Sequence, residues 1–585
     1  MQFLAEKISY IGISGKNIMR NGEIADLFEQ IADVLEFKGE NSFRVNAYRK
    51  SARIIREYPE DVEMLWKEDR LTEIPGVGQG IADHIMEYLK TGKIQQYQEV
   101  LSGMPEGILD LINIPNIGPK TVSLFYNRLD IKNLDDLEKE IKKGTILNLP
   151  GMGEKKIENI KKGIIFFKEK QKKKRISLGI ALPIVKEIID YMKPGVEKIS
   201  ACGSLRRMKE TIGDIDILTT GENHKDIIET FINFPKKENI IAKGQTKASI
   251  IVKEHHLQVD LRVVDNSSYG SALLYFTGSK EHNIKLRGLA KDKGFKISEY
   301  GIFKGDEKIA GQTEESVYDV LNMQFIPPEL REDRGEIEAA INHKLPHLVK
   351  INDILGDMHS HTNYSDGMDT IETMVQLAIK HGYKFIVISD HTKTSKIANG
   401  MDEEKLKKRN KEIDIIQEKY PEIKIVKAVE IDILGDGQLD YSDEILKDIE
   451  FVIGAIHQGF QKNVTERMIK AIKNPFLDII AHPTGRLISG RKGYDINLDE
   501  VISAAVEYNV ALEINAYFDR LDLNDINIIK AKNRGAMFSI GTDSHNAGML
   551  KYMEFGISMA RRGWLEKNDI LNCYQWNNMP RRNKK

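Results

Sequence analysis

At 585 residues, with 41% hydrophobic and 30% charged side chains, the chain is too long for one hydrophobic core and has the balance of a soluble enzyme of three or more domains. It holds no apolar run of about eighteen residues, and its opening MQFLAEKISY lacks the apolar centre of a signal peptide, so a cytoplasmic protein with no membrane partner is expected. Only Cys202 and Cys573 occur, which excludes a disulfide scaffold and a cysteine zinc site, and a net charge of −2 gives no argument for nucleic acid by itself.

Taken in chain order, the first pattern is a repeat. EIPGVGQGIADHI (73–85), NIPNIGPKTVSLF (113–125) and NLPGMGEKKIENI (148–160) each place an apolar residue, a proline, two residues and a glycine before an amphipathic helical pattern. Gly76, Gly78, Gly118, Gly151 and Gly153 permit a tight turn whose free N–H groups and positive helix end point outward. Such a turn grips a phosphodiester backbone without reading bases. A single copy also marks a plain helix hairpin; three copies resemble helix-hairpin-helix DNA-binding motifs. The run KKIENIKKGIIFFKEKQKKKR (155–175) reads either as a solvated helix or linker or as a further backbone contact.

The second chemistry lies in CGSLRRMKETIGDIDIL (202–218). Ile215 and Ile217 alternate with Asp214 and Asp216, a strand pattern that puts both carboxylates on one face. Two such aspartates can bridge a pair of divalent ions about 3.5–4 Å apart, the spacing that clamps entering and leaving oxygens in phosphoryl transfer. Asp260, in the strand pattern HLQVDLRVV (256–264), supplies the third carboxylate. GS-x-RR before G-D-I-D resembles the nucleotidyltransferase signature. YFTGS (275–279), then Asn283 and Arg287, then KGFKISEYGIF (293–303), match in order and spacing the family X DNA polymerases, which fill short gaps in DNA repair of the base excision type.

That resemblance implies that Asp214, Asp216 and Asp260 hold two Mg²⁺ or Mn²⁺ ions and that Ser204, Arg207 and Gly213 hold the nucleotide triphosphate. It further implies that Tyr275, Phe276 and Gly278 crowd the sugar while Asn283 and Arg287 approach the base pair. An arginine suits the triphosphate because its planar fork donates paired, charge-assisted hydrogen bonds.

Six apolar runs near the C-terminus read as strands: DMHSHTNYSDG (357–367), IVISDH (386–391), IVKAVEID (425–432), FVIGAIH (451–457), DIIAHPTGR (478–486) and FSIGTDSH (538–545). They carry nine candidate ligands, His359, His361, Asp366, His391, Glu430, His457, His482, Asp543 and His545. In a parallel barrel, strand C-termini converge on one mouth, so these groups can surround the same ions. Mixed imidazole and carboxylate ligation suits Zn²⁺, Mn²⁺ or Fe²⁺ and argues against Ca²⁺. HSHTNYSDG, AHPTGR and GTDSH resemble the polymerase-and-histidinol-phosphatase (PHP) domain. The resemblance implies a distorted β/α barrel holding up to three Mn²⁺ or Zn²⁺ ions, with metal-dependent 3′-5′ exonuclease activity and abasic-site cleavage as a further expectation.

The whole chain thus resembles bacterial and archaeal family X polymerases with a C-terminal PHP domain, a multidomain α+β architecture. The expected division is an N-terminal helical domain (1–90), a helix-hairpin-helix domain (91–175), a nucleotidyltransferase palm (176–265), a nucleotide-binding subdomain (266–325), a linker (326–350) and the barrel (351–585). Expected partners are gapped or primed DNA and dNTPs, bound by a monomer. Two departures stand out. His84 occupies the position of the lysine that forms a Schiff base in lyase-active members, leaving Lys90 and Lys93 as nearby amines, and Gln258 stands where the vertebrate repair enzyme has arginine. Rival readings are a small-molecule phosphoesterase fused to an inactive nucleotidyltransferase and a DNA-binding scaffold. The hairpins disfavour the first, the intact carboxylate sets the second.

Overall fold

The computed structural model describes residues 21–582 apart from 58–61, 75, 76, 96, 98–103, 106, 113, 115, 116, 173, 174 and 492. Gly76 and residues 173 and 174 of the basic run therefore lie outside the described residues. Two compact units emerge, Met1–Lys174 and Arg175–Lys585.

The first unit is helical. In Asn21–Phe37 the residues Ile24, Phe28, Ile31 and Leu35 fall on one face and are buried with Val45, Tyr48, Ala52 and Ile55 of Ser42–Glu57. The helices that follow the three repeats span Gln79–Thr91, Pro119–Leu129 and Glu154–Lys172. The second and third share a core of Val122, Phe125, Ile157 and Ile160. The basic run, up to Lys172, lies within the last of these helices.

In the second unit, β1 (Ile176–Ser177) and β3 (Thr211–Ile212) form a short antiparallel pair. The palm sheet contains β2 (Lys198–Ala201), β4 (Ile215–Thr220), β5 (Lys237–Lys243), β6 (Lys247–Val252) and β7 (Leu257–Val263), in the order β2-β4-β7-β6-β5. Only β4 and β7 run parallel. Helices Leu178–Met192 and His224–Ile232 bury Ile184, Ile188, Ile227 and Phe231 in the same core as Ile215, Ile217, Val259 and Leu261 of that sheet. This leaves the carboxylate-bearing positions of β4 and β7 on the side away from that core.

A three-stranded antiparallel sheet follows, β8 (Lys296–Ser298), β9 (Gly301–Lys304) and β10 (Glu307–Ala310), with helices Tyr269–Thr277, Lys280–Asp292 and Glu314–Val320. The segment 326–350, whose prolines and charges suggest a connector, is packed into this subdomain. Leu330, Ile337 and Leu348 share its core with Leu274 and Val317. Arg331 and Glu336 are wholly buried because each is satisfied inside, Arg331 by the Glu314 carboxylate at 2.6 Å and Glu336 by hydrogen bonds from the His282 ring (2.6 Å) and the N–H groups of Asp333 (3.0 Å) and Arg334 (2.7 Å).

The remainder is a parallel barrel of β11 (Gly356–Ser360), β12 (Phe385–Ile388), β13 (Lys424–Asp432), β14 (Phe451–Ala455), β15 (Ile479–Ile480), β16 (Ala511–Asn515) and β17 (Phe538–Gly541), paired in chain order. The ring closes beyond the first and last strands, where the Asp543 N–H donates to the His359 carbonyl (3.0 Å) and the His361 N–H to the Ser544 carbonyl (2.8 Å). Closure at the strand C-termini is what draws the ligand segments together.

Candidate active sites

In the palm, β4 and β7 lie in a register that sets Asp216 directly beside Asp260. Asp214 is exposed at the entry to β4, and the other two are half-buried. Burial, then Asp214 and Asp260, pushes the Asp216 carboxyl up to about 6. Nearby protein donors offer partial relief: Gln258 Nε2 donates to Asp260 Oδ1 at 3.1 Å, and Lys247 Nζ stands 3.9 Å from Asp260 Oδ2. Three converging carboxylates with so little cationic compensation fit divalent ions. Their oxygens are spread, however: among the described residues the ligand sets that close to within 4.8 Å lie in the barrel.

The turn Gly203–Arg206 packs on this pair, its entry fixed by a Cys202 N–H bond to the Asp216 carbonyl (2.7 Å). Gly203 adopts a φ of +61°, and a Cβ there would lie 2.9 Å from Asp216 Oδ2, so both conformation and space require glycine. Ser204, in that turn, and Gly213, ahead of β4, flank the triad; Arg175 Nη1 lies 3.0 Å from where a Gly213 Cβ would be. The two arginines of the motif are engaged within the protein. Arg206 makes a fork to Glu314 (2.8 and 2.6 Å), while Arg207 Nε meets Glu332 at 3.0 Å and its Nη1 donates to the Thr277 carbonyl.

Tyr275 and Phe276 pack edge to face at 5.2 Å, with the Arg262 guanidinium 4.5 Å over the Phe276 ring. Asn283 donates to the Tyr275 carbonyl at 2.8 Å, and Arg287 is exposed on the same helix. Gly278, at φ +70°, brings its backbone against Arg207, whose Nη1 lies 3.1 Å from a Cβ placed there.

The barrel mouth brings all the sequence-selected ligands into one cluster. One set comprises His361, Asp366, His391 and His545; a second His359, His361 and Asp543; a third His391, Glu430 and His457, each with ligand atoms mutually within 4.8 Å. His482 joins the third through Nε2, 3.0 Å from Glu430 Oε1. Burial alone would raise the Glu430 carboxyl, yet His391, His457 and His359 hold it well below the usual carboxylate range. Burial, with His545 and His391, lowers His361 to about 4, so a neutral imidazole with a free lone pair stands at the junction of two sets. Its Nδ1 is buried without a hydrogen-bond partner, 4.0 Å from Asp366 Oδ1, which is the fit expected of a metal ligand. His482 and Asp543 hold left-handed backbones at φ 29° and 52°, strain of the kind stored at functional sites.

Residues that the sequence did not single out orient these ligands. Glu513 on β16 accepts from His359 Nδ1 (2.7 Å) and from the His482 N–H (2.7 Å), fixing one ring and one backbone at once. Asp432 holds His457 Nδ1 at 2.7 Å and sits two residues after Glu430 on the same strand face, a spacing that could have revealed it. Arg520 Nε lies 3.5 Å from Asp543 Oδ2.

In the helical unit, Gly78 and Gly118 cap their helices in extended conformations with φ of −82° and −98°, and a Cβ at Gly78, Gly118 or Gly153 would meet nothing within 4 Å. Neither strain nor internal packing requires these glycines, which fits close approach of an outside backbone. His84 Nδ1 pairs with the Tyr48 hydroxyl at 2.8 Å, and burial lowers its pKa. Lys90 Nζ lies 5.9 Å from the Trp66 ring centroid and Lys93 is exposed.

Family models match for a helix-hairpin-helix domain over residues 19–94, a SAM-like helix-hairpin-helix tandem over 108–164, the DNA polymerase beta thumb over 272–332 and the PHP domain over 357–517. The chain is 36% identical over 563 residues to the DNA polymerase/3′-5′ exonuclease PolX of Bacillus subtilis (strain 168), covering 95% of this chain and 98% of that protein. It is 24% identical over 345 residues to DNA polymerase lambda of Arabidopsis thaliana, and 25% identical over 342 residues to that of Rattus norvegicus. Those two alignments each take in 53% of this chain, and 62% and 56% of the relatives.

Proposed function

The chain belongs to the family X DNA polymerases that carry a C-terminal PHP domain, and from that premise we propose that it fills short gaps in DNA and trims 3′ ends in its barrel. The observation that carries the reading is the in-register pair Asp216 and Asp260 beneath the Gly203–Arg206 turn, in one chain with the barrel's clustered ligands. Divalent ions held there, Mg²⁺ or Mn²⁺ by the palm triad and Mn²⁺ or Zn²⁺ by the barrel, would supply an activated oxygen nucleophile and neutralise charge on phosphate oxygens. The triad positions primer end and triphosphate on one face of the palm. Ser204 and Gly213 border the triphosphate, Tyr275, Phe276 and Gly278 crowd the sugar position, and Asn283 and Arg287 line the base-pair side. In the barrel, Glu513 and Asp432 fix the tautomers of His359 and His457, leaving their other ring nitrogens facing the ligand cluster. The chain divides into the domains expected from its sequence, with 326–350 joined to the nucleotide-binding subdomain, and the protein acts as a monomer on gapped or primed DNA with dNTPs. Incubation with a one-nucleotide-gapped duplex and dNTPs, and separately with a labelled 3′-recessed strand, tests both activities. Absence of template-directed addition overturns the polymerase reading.

The hairpins predict a backbone grip. DNA affinity should fall steeply with salt, with a log–log slope of about −0.9 for each phosphate neutralised, and should show little sequence preference. Gly118→Leu and Gly153→Leu place side chains in open space and should weaken binding to all duplexes equally, by about tenfold for the loss of one or two charge-assisted contacts. Fluorescence anisotropy across salt and sequence checks this; a strong preference for one sequence contradicts it.

The helical unit should also hold a gap's 5′-phosphate without excising an abasic sugar phosphate. Imine formation needs a neutral amine, and His84 presents an imidazole tied to Tyr48. Borohydride treatment with a 5′-abasic substrate should give no covalent adduct. Trapping mapped to Lys90 or Lys93 would show that another lysine has taken over.

A further inference from the structure

The arginine expected on the triphosphate does not stand free; it ends a chain of ion pairs that begins in the barrel. Arg562, buried at the end of helix Met553–Arg562, donates from Nη1 to Glu332 Oε1 (3.0 Å) and to the Arg207 carbonyl (2.5 Å), and from Nη2 to Asp525. Glu332 Oε1 also receives Arg207 Nε at 3.0 Å, and its second oxygen lies 3.5 Å from Lys209 Nζ. Arg207 passes the constraint on: its Nη1 donates to the Thr277 carbonyl, immediately before Gly278, where the sugar-side segment turns. Burial would raise the Glu332 carboxyl, but Arg562, Arg207 and Lys209 hold it at about 2, so this carboxylate stays charged at all working pH values.

Building on the polymerase reading above, we propose that Arg562 of the barrel is a positioning residue for nucleotide binding in the palm, acting through Glu332 on Arg207 and the Thr277–Gly278 turn. Arg562 touches both the side chain that orients the Arg207 guanidinium and the Arg207 backbone, so it fixes where that cation sits relative to the triad. When Arg207 turns toward a triphosphate, Glu332 loses one cation but keeps Arg562 and Lys209, so no buried carboxylate is left bare. A hydrolytic domain thereby holds a synthetic site ready, and the two stay in one chain for a physical reason besides tethering.

The neighbouring bridge provides the control. Arg561 Nε pairs with Glu329 at 2.7 Å and Arg561 Nη1 with the Val349 carbonyl at 3.0 Å, which fastens the same helix to the 328–350 segment without touching Arg207. The test uses the full-length chain on gapped DNA with a dideoxy-terminated primer, and titrates the correct dNTP in Arg562→Met, Arg562→Lys and Arg561→Met. Asp525 keeps Arg334 at 3.0 Å in the Arg562 variants, so its charge remains paired. Arg562→Met should raise the dNTP Kd about tenfold, the scale of one charge-assisted contact, with Arg562→Lys recovering part of it and Arg561→Met leaving it unchanged. On an extendable primer the same change should appear in KM more than in kcat. An unchanged Kd in Arg562→Met, or an equal rise in Arg561→Met, overturns the proposal. A wild-type protein with no template-directed addition would instead overturn the polymerase reading itself.

Discussion

Asp260→Ala should abolish nucleotide addition while leaving the fold and DNA binding intact. Asp260 stands beside Asp216 in the parallel β4–β7 pair, and after burial and Asp214 its charge helps to push the Asp216 carboxyl up to about 6. Removing one carboxylate relieves that repulsion, so thermal stability should hold or rise slightly. The same change removes one of the three carboxylates proposed to hold the ions. Loss of metal-assisted charge neutralisation, about 4 kcal/mol, corresponds to about 10³-fold in rate. Single-turnover extension of a gapped primer measures it. Anisotropy with the same duplex should be unaltered, since the hairpins lie in the other unit. Full extension at the wild-type rate would remove Asp260 from the triad.

Much of this site was legible because its chemistry is local in sequence. Asp214 and Asp216 are two residues apart at the start of a strand, and the nine barrel ligands lie in or just after six apolar runs, so the strand pattern aims them at one mouth. What remained hidden depends on long-range partners. Glu513 reads as an ordinary glutamate in ALEIN; its role follows from a histidine 154 positions away. Arg331 and Glu336 looked solvated because nothing near them in sequence announces Glu314 and His282. The triphosphate role of Arg207 came from resemblance, whereas its pairing with Glu332 is a tertiary fact. The same holds for the connector reading of 326–350: charge predicts exposure until an ionic or hydrogen-bonding partner permits burial.

The barrel offers a prediction of comparable size. His359→Ala/His361→Ala should eliminate degradation of a labelled primer from its 3′ end while nucleotide addition persists. Both rings are wholly buried, with their Nε2 atoms 3.0 Å apart and His361 Nε2 3.3 Å from Asp543 Oδ1. His361 belongs to two of the three ligand sets, so its removal together with His359 leaves one set with Asp543 alone and another short of a ligand. The set of His391, Glu430 and His457 survives, and metal analysis should therefore find a reduced rather than zero metal content. Divalent ions held by these sets would activate water and neutralise phosphate charge, so loss of their ligands predicts about 10³-fold slower hydrolysis. Nucleotide addition persists because the triad sits on a different sheet and the Arg562–Glu332 link is untouched by either substitution. Chelation should stop both reactions in the wild type, which separates metal dependence from site assignment. Wild-type degradation by the double variant would assign the nuclease to another site or to a contaminant, while parallel loss of addition would show that the barrel had unfolded and carried the palm with it.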